Sequence, residues 1–525
     1  MVYKNVMFGT FVLTSFIMIV IHADKPHIIM IVADDLGWND ISFHGSNEIP
    51  TPNIDRLANN GVILDNYYVL PICTPSRSAI MTGRYPIHTG MQQDTIFGPN
   101  PYGVGLNEKF LPQYLKQQGY KTHGVGKWHL GFFAKQYTPT YRGFDSYYGS
   151  YLGKGDYWNH SNTETYSGLD LHDNENGVFS QDGNYSTEMY TAEAISCINN
   201  HNSSEPLFLY LAYQAVHSAN TEEDPLQAPQ EWIDKFSYIK HEQRRKYAAM
   251  LGYMDYGVGR VHDALAKKKM LDNSIIIFTT DNGGPANGFD YNWANNFPLR
   301  GVKATLFEGG VRGVSFVYSK LIESPRVSHE LIHITDWLPT LVNLAGGKVS
   351  DGFLDGFDQW ATLQNKQSSQ RNEMYKNKTY DTVEALPSEE NDFKDDFKEN
   401  DAVLDYELEN INKFAGNYWD GWYPPPSFNE QSNNSFSYLS STVKCGHDIP
   451  IVINHCDSYC LFHIDEDPCE INDLSKKFPE VLAELINRLN TYRQSMVPPR
   501  NNMTIDPRSD PKLHNGVWQP WEMLN

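Results

Sequence analysis

The residues able to do chemistry in this chain come in short clusters, and four of the clusters follow stretches that read as strands. Asp34-Asp35 ends the run His27-Ile-Ile-Met-Ile-Val-Ala33, and Gly126-Lys-Trp-His129 follows Tyr120 to Val125. His217 comes shortly after Pro206 to Tyr213, and Asp281-Asn282 directly after Ser274-Ile-Ile-Ile-Phe-Thr-Thr280. Groups of these types bind ions, move protons and hold anions. One polar residue after one strand is ordinary loop capping or solvation. Four such placements point instead to a single active edge. A fifth candidate is Cys73, in Cys73-Thr-Pro-Ser-Arg77. Pro75, near the start of a helix-forming stretch, puts residue 73 at a helix N-terminus, where backbone N–H groups favour anions. Arg77 lies about one turn further on. A buried free thiol is the plain alternative for a lone cysteine.

Bringing these clusters together takes strands whose C-terminal ends meet. Apolar runs without alternation suit strands covered on both faces, as in a parallel sheet. Helical stretches lie between them, such as Leu111 to Gln118 before Gly119, and about Glu242 to Lys268. The alternation predicts an α/β fold with a large mixed, mostly parallel sheet flanked by helices, whose ligands sit beyond the C-terminal strand ends. The expected organisation is a leader over 1–23, a catalytic domain over 24–402 and a smaller C-terminal α+β subdomain over 403–525. In the last, Tyr459-Cys-Leu-Phe-His-Ile464 reads as a strand. Pro479 to Met496 reads as an amphipathic helix with Leu482, Leu485, Ile486 and Leu489 on one face. Residues 389–409 carry ten acids against two lysines, a solvated loop or insertion, with a calcium or partner site as the other reading.

The composition, 40% hydrophobic and 20% charged over 525 residues, is globular and excludes collagen, a wholly disordered chain and a multi-span membrane protein. Lys plus Arg total 42 against 64 for Asp plus Glu, a net charge of −22. Such a surface repels polyanions, and with no local basic patch no nucleic-acid partner is expected. Lys4, the apolar run Val6 to Ile21, and Ala23 before Asp24 read as a secretory signal, too short for a membrane anchor and without a basic stop-transfer cluster. No span is expected after its removal. Six sequons, at Asn159, Asn184, Asn202, Asn377, Asn433 and Asn502, agree with export and N-glycans. Cys73 and Cys197 stand alone, while Cys445, Cys456, Cys460 and Cys469 crowd together. In an exported chain the four suggest two disulfides of open connectivity; a zinc site is the alternative, without paired Cys-x-x-Cys units.

With these residues in view, the chain resembles the type I sulfatases. Cys73-Thr-Pro-Ser-Arg77 matches the family's C-x-P-S-R motif, and Gly119-Tyr-Lys-Thr-His-Gly-Val-Gly-Lys-Trp-His-Leu-Gly131 matches its second signature. Further stretches look like arylsulfatase B (N-acetylgalactosamine-4-sulfatase) in particular. They are Ile31 to Asp40, Thr280-Asp-Asn-Gly-Gly284, Pro298-Leu-Arg-Gly301 with Lys303, Glu308 to Gly313, Leu331 to Thr340 and Gly516-Val-Trp518. The resemblance covers nearly the whole mature chain in order.

It implies an alkaline-phosphatase-like sulfatase fold and a sulfuric ester hydrolase whose Cys73 is converted to Cα-formylglycine by the formylglycine-generating enzyme. A hydrated aldehyde is a geminal diol: one oxygen attacks sulfur, and the second lets the carbonyl reform and expel sulfate, dividing one difficult step into two. Asp34, Asp35, Asp281, Asn282 and the modified residue 73 would hold one divalent cation, and an all-oxygen shell suits Ca2+, with Mg2+ possible in principle. Arg77, Lys127 and Lys303 would surround the sulfate with positive charge. His129 would contact the diol, and His217 with Lys303 would face the leaving ester oxygen. A lysosomal or secreted enzyme of the secretory pathway is implied.

The resemblance thins at the substrate rim. Where arylsulfatase B has a basic strand, this chain has Ala402-Val-Leu-Asp-Tyr-Glu-Leu-Glu-Asn410, and Glu373-Met-Tyr-Lys-Asn377 replaces another family stretch. A sulfated sugar or glycosaminoglycan therefore competes with a small sulfated compound, such as an aryl sulfate or a glucosinolate, as substrate. Two other readings use the same architecture: a phosphate or phosphonate ester hydrolase, disfavoured by the intact cysteine motif, and a non-catalytic binder of sulfated glycans.

Overall fold

The computed structural model describes residues 25–221, 223–349, 353–374, 441–445, 459–501 and 504–524. The leader, the acidic segment, the altered rim segment 402–410, Cys456, Asn377, Asn433 and Asn502 lie outside the described residues. The elements that build the site are, in chain order, β1 (His27–Ala33), α1 (Pro52–Asn59), β2 (Val62–Leu64) and α2 (Cys73–Thr82). Then come α3 (Leu111–Gln117), β3 (Lys121–Gly126), β4 (Ser146–Gly149), β5 (His172–Asp173), β6 (Asn176–Gly177), α4 (Ser186–Asn200) and β7 (Leu207–Ala212). The series closes with α5 (Glu242–Lys267), β8 (Ser274–Thr280), β9 (Ser315–Ser319), β10 (Arg326–Ser328), α6 (Trp337–Leu344) and α7 (Pro479–Ser495).

Ten strands form one mixed sheet in the order β10-β2-β9-β8-β1-β7-β3-β4-β5-β6. Its centre, β8-β1-β7-β3-β4, is parallel throughout. The apolar runs of the sequence are explained by two cores. Side chains alternate across a strand, and in β1 Ile29, Ile31 and Ala33 face one core while Ile28, Met30 and Val32 face the other. The same split holds in β7, with Leu207, Leu209 and Leu211 against Phe208, Tyr210 and Ala212. The first face is covered by α1, α4 and α5, through Leu57, Tyr190, Ile198, Met250, Met254 and Val258. The second is covered by α2, α3 and α6, through Ile80, Leu111, Leu115, Trp337 and Leu341. A central strand wetted on neither face is apolar over most of its length.

Two C-terminal expectations come out differently. The helix forms as α7, and Leu489 and Tyr492 pack on Tyr85 and Ile87, but Leu485 is 52% exposed and none of its residues is fully buried. Tyr459 to Ile464 is not a strand. Leu461 N–H donates to Asp473 Oδ1 at 3.0 Å and its carbonyl accepts from Leu474 N–H, so contacts to the following loop satisfy a backbone that pairs with no strand among the described residues. Of the crowded cysteines, Cys445 is bonded to Cys469, and Cys460 is also disulfide-bonded. The chain then returns to the large core, where Trp518 is fully buried and its indole N–H donates to Asn162 O. Among the described residues no helix is long and apolar enough to cross a membrane.

Candidate active site

Because β1, β7, β3 and β8 run parallel, their C-terminal ends open on the same edge of the sheet, and each delivers polar residues there. Asp34 and Asp35 leave β1, Lys127 and His129 leave β3, His217 follows β7, and Asp281 and Asn282 leave β8. The turns are tight. Asp35 and His129 hold left-handed backbone with φ of 58° and 60°, a conformation disfavoured for non-glycine residues. At Gly126, with φ 99°, an added Cβ would lie 1.8 Å from Ala212 O, so only glycine lets β3 turn beside β7. Cys73 is the first residue of α2, as the placement of Pro75 implies, and it is 1% exposed.

The sequence-predicted residues converge. One potential ligand atom from each of Asp34, Asp35, Cys73 and His217 lies within 4.8 Å of all the others. Cys73 Sγ is 3.8 Å from Asp34 Oδ1. Asn282 Nδ2 donates to Asp35 Oδ1 at 2.6 Å and to Gly283 O, which leaves Asn282 Oδ1 buried with no hydrogen-bond partner; Asp281 Oδ1 is in the same condition. Buried carboxylate and amide oxygens without a donor are the chemistry of a hard-cation shell, so the donor set fits a divalent ion such as Ca2+.

Three cations thread through these acids. Arg77 donates through Nε to Asp281 Oδ2 at 2.9 Å, its Nη2 lies 2.8 Å from the same oxygen and 3.4 Å from Asp34 Oδ2, and Nη1 donates to Lys127 O. Lys127 Nζ donates to Asp34 Oδ2 at 2.5 Å. Lys303 Nζ donates to Asp35 Oδ2 at 2.8 Å and Asp290 Oδ2 at 2.9 Å, and lies 3.1 Å from His217 Nε2. Burial opposes the charge on each, but the facing carboxylates outweigh it and hold Arg77, Lys127 and Lys303 above their ordinary pKa values. Burial and the neighbouring Asp281 lift Asp34 to about 6, against the pull of Lys127, His217 and Arg77. For Asp281, burial is outweighed by Arg77, Lys127 and Lys303, and its pKa is lowered. Burial pushes the Cys73 thiol up, the opposite of what a thiolate nucleophile needs.

The two histidines are fixed differently. His129 pairs Nε2 with Ile96 O at 3.1 Å, and Nδ1 is buried without a partner. Burial, then Lys127 and Arg77, hold its pKa well below the usual value, so the ring is neutral with its proton on Nε2 and a lone pair on Nδ1. Gly153 packs on this ring: a Cβ there would sit 2.5 Å from Cε1. His217 pairs Nδ1 with Ser218 O at 2.8 Å, and its Nε2 lies 3.3 Å from Asp35 Oδ2 and 3.4 Å from Asp290 Oδ2.

Asp290 and Lys154 were not visible from sequence. Asp290 sits in the polar loop after β8, and Lys154, whose Nζ donates to Asp290 Oδ1 at 2.7 Å, follows β4 in the run Tyr151-Leu-Gly-Lys154. Both follow strands, yet neither falls within a recognised motif; the distance of each from a strand end hid it.

Residues 26–347 match the sulfatase family. Arylsulfatase J of Mus musculus is 42% identical over 504 residues, covering 95% of this chain and 80% of that protein. N-acetylgalactosamine-6-sulfatase of Homo sapiens is 31% identical over 355 residues, covering 64% of this chain and 66% of the relative. A crystal structure of Ps i-CgsB in complex with k-i-k-neocarrahexaose superposes with a TM-score of 0.60 at 36% identity, over 66% of this chain and 77% of that one. The large mixed sheet flanked by helices is thus the sulfatase fold, and the chain belongs to the sulfatase family, as an enzyme that hydrolyses sulfuric esters.

Proposed function

We propose that this sulfatase releases sulfate from a sulfated sugar, using formylglycine made from Cys73 and one Ca2+ ion held by Asp34, Asp35, Asp281, Asn282 and residue 73. The observation that carries the reading is the convergence of Cys73 with Asp34 and Asp35 inside a shell of three buried cations. When present, the aldehyde hydrate would supply a nucleophilic oxygen, and the ion Lewis acidity toward that oxygen and the sulfate.

The remaining work falls to this chain's own groups. Arg77 and Lys127 hold Asp281 ionised, draw Asp34 toward its ionised form, and add fixed positive charge beside residue 73. The lone pair of His129 Nδ1 is available to take a proton from residue 73. His217 Nε2, with Lys303 Nζ beside it, is the proton carrier for the leaving oxygen; a nitrogen 3.1 Å from an ammonium serves proton transfer better than metal binding. Counting Arg77, Lys127 and Lys303 against Asp34, Asp35, Asp281 and Asp290 gives 3 − 4 = −1. A divalent ion turns that balance positive, which suits an anionic ester.

A sugar substrate is favoured by two similar proteins, one an N-acetylgalactosamine-6-sulfatase and the other crystallised in complex with a neocarrahexaose. A small sulfated compound such as a glucosinolate is the second reading, favoured by the acids at 402–410. Passage through the secretory pathway, to the lysosome or the exterior, accords with sequons at Asn159, Asn184 and Asn202, all exposed. The domain limits 24–402 and 403–525 are part of the same reading. The test is the mass of the tryptic peptide Leu57 to Arg77 from a secretory eukaryotic host, together with sulfate and phosphate release from matched esters. The aldehyde with sulfate release is expected; an unmodified thiol in a host proven to convert other sulfatases would overturn the reading, and phosphate release alone would favour the phosphoesterase.

A further inference from the structure

We propose that Asp290 is a positioning residue that aims Lys303 and His217 at the leaving oxygen, so that its importance grows as the leaving group worsens. The proposal rests on the reading of His217 and Lys303 as the leaving-group pair. Asp290 is not a solvated loop acid: its side chain is 7% exposed, and both oxygens are committed. Oδ2 accepts from Lys303 Nζ at 2.9 Å and lies 3.4 Å from His217 Nε2, while Oδ1 accepts from Lys154 Nζ at 2.7 Å. Its backbone holds the left-handed φ of 58°, and its carbonyl accepts from Ser218 Oγ at 3.3 Å, fastening the loop to the residue after His217.

The geometry gives Asp290 a specific task. An ammonium has three donors, and those of Lys303 are met by Asp35, Asp290 and His217. Asp35 and Asp290 both accept from Lys303 and both lie within 3.4 Å of His217 Nε2, so the two carboxylates together hold Nζ against the histidine. Without Asp290 the ammonium collapses onto Asp35 and leaves the histidine. Lys154, 34% exposed, anchors Asp290 from the solvent side, one residue beyond the Gly153 that packs on His129. Misplacing a proton carrier by about 1 Å costs roughly 100-fold in turnover, but only where the leaving oxygen needs the proton.

The experiment compares Asp290→Asn with the wild-type enzyme on 4-nitrophenyl sulfate, whose leaving phenolate needs little protonation, and on a sulfated monosaccharide, whose alkoxide needs it fully. Expected is a kcat loss of about 100-fold on the sugar sulfate with little change in KM, and a loss within about threefold on the aryl sulfate. Equal losses on both esters, or none, would overturn the proposal and leave Asp290 a structural residue. Asp290→Glu keeps the charge but moves it. It carries the same test if the asparagine variant does not fold, with the same ester-selective sign. A wild-type enzyme with aldehyde at residue 73 that cleaves neither ester would sink the underlying reading, and this proposal with it. Selective loss on the sugar sulfate alone supports both.

Discussion

Replacing Arg77 with Met tests whether buried ion pairing, rather than shape, holds the acids of the site in place. Methionine has a comparable reach and leaves the apolar packing of α2 in place. The lost contacts are the pair to Asp281 Oδ2 at 2.9 and 2.8 Å and the approach to Asp34 Oδ2 at 3.4 Å, among side chains that are 0% exposed. Removing one partner of a buried pair typically costs about 3–5 kcal/mol, because the abandoned charge stays buried. In a chain of this size, with an unfolding entropy of about 1 kcal/mol/K, that is roughly 3–5 °C in midpoint. The count of −1 becomes −2, so a bound divalent ion offsets more in the variant than in the parent. Thermal unfolding of both proteins, in chelator and in saturating calcium, therefore reads two numbers. The variant melts well below the parent in chelator, and calcium raises it by the larger increment. A deficit under about 1 kcal/mol would refute the pairing argument. Equal calcium increments would refute the placement of the ion beside Asp281 and Asp34.

Two other outcomes follow from the same geometry. Asp34 has a folded pKa raised to about 6. An acid raised on folding favours the ion-free native state at low pH, a contribution lost as pH climbs from about 4 through about 6. Cation binding has the opposite sense, since the ion needs the ionised form. Calcium affinity is therefore expected to weaken as pH falls below about 6, with proton release on binding that titration calorimetry in two buffers of unlike ionisation heat would detect; binding independent of pH between 5 and 7 would remove Asp34 from the shell. Gly126→Ala is expected to abolish soluble expression or cost roughly 4 kcal/mol or more, because the new methyl meets Ala212 O at 1.8 Å on backbone that cannot give way; a circular dichroism melt within 2 °C of the parent would contradict the tight turn.

How much of this was legible beforehand depended on what each segment packs against. The run His27 to Ala33 is apolar because both of its faces are covered, and the observed strand keeps the limits read from sequence. Lys121–Gly126 was harder, holding Thr122 and His123 where an apolar run was expected, but the Lys-x-His signature after it fixed its role. Asp290 escaped because its function comes from a fold-back: a left-handed turn in a polar loop returns it to Lys303, and nothing in Gly288-Phe-Asp-Tyr291 marks that return. Tyr459 to Ile464 misled for the reverse reason. It has strand-forming residues that pair with no strand among the described residues, and β-propensity has meaning only against a partner.

The burial of Cys73 also has a consequence for timing. In the folded chain it is 1% exposed, beneath residues drawn from positions 34, 127, 217 and 303. An enzyme acting on the Cys73 thiol needs it accessible, and here Cys73 opens a packed helix whose ten residues are all buried. On the proposed conversion of Cys73, modification would therefore have to run ahead of folding, during the interval when residue 73 has left the ribosome and β8 has not. Some two hundred residues separate Cys73 from Asp281, and at a synthesis rate of about 5–20 residues per second that interval is on the order of 10–40 s. On the same reading, variants that speed early collapse of the α2 region would leave a larger fraction of folded molecules without the proposed nucleophile.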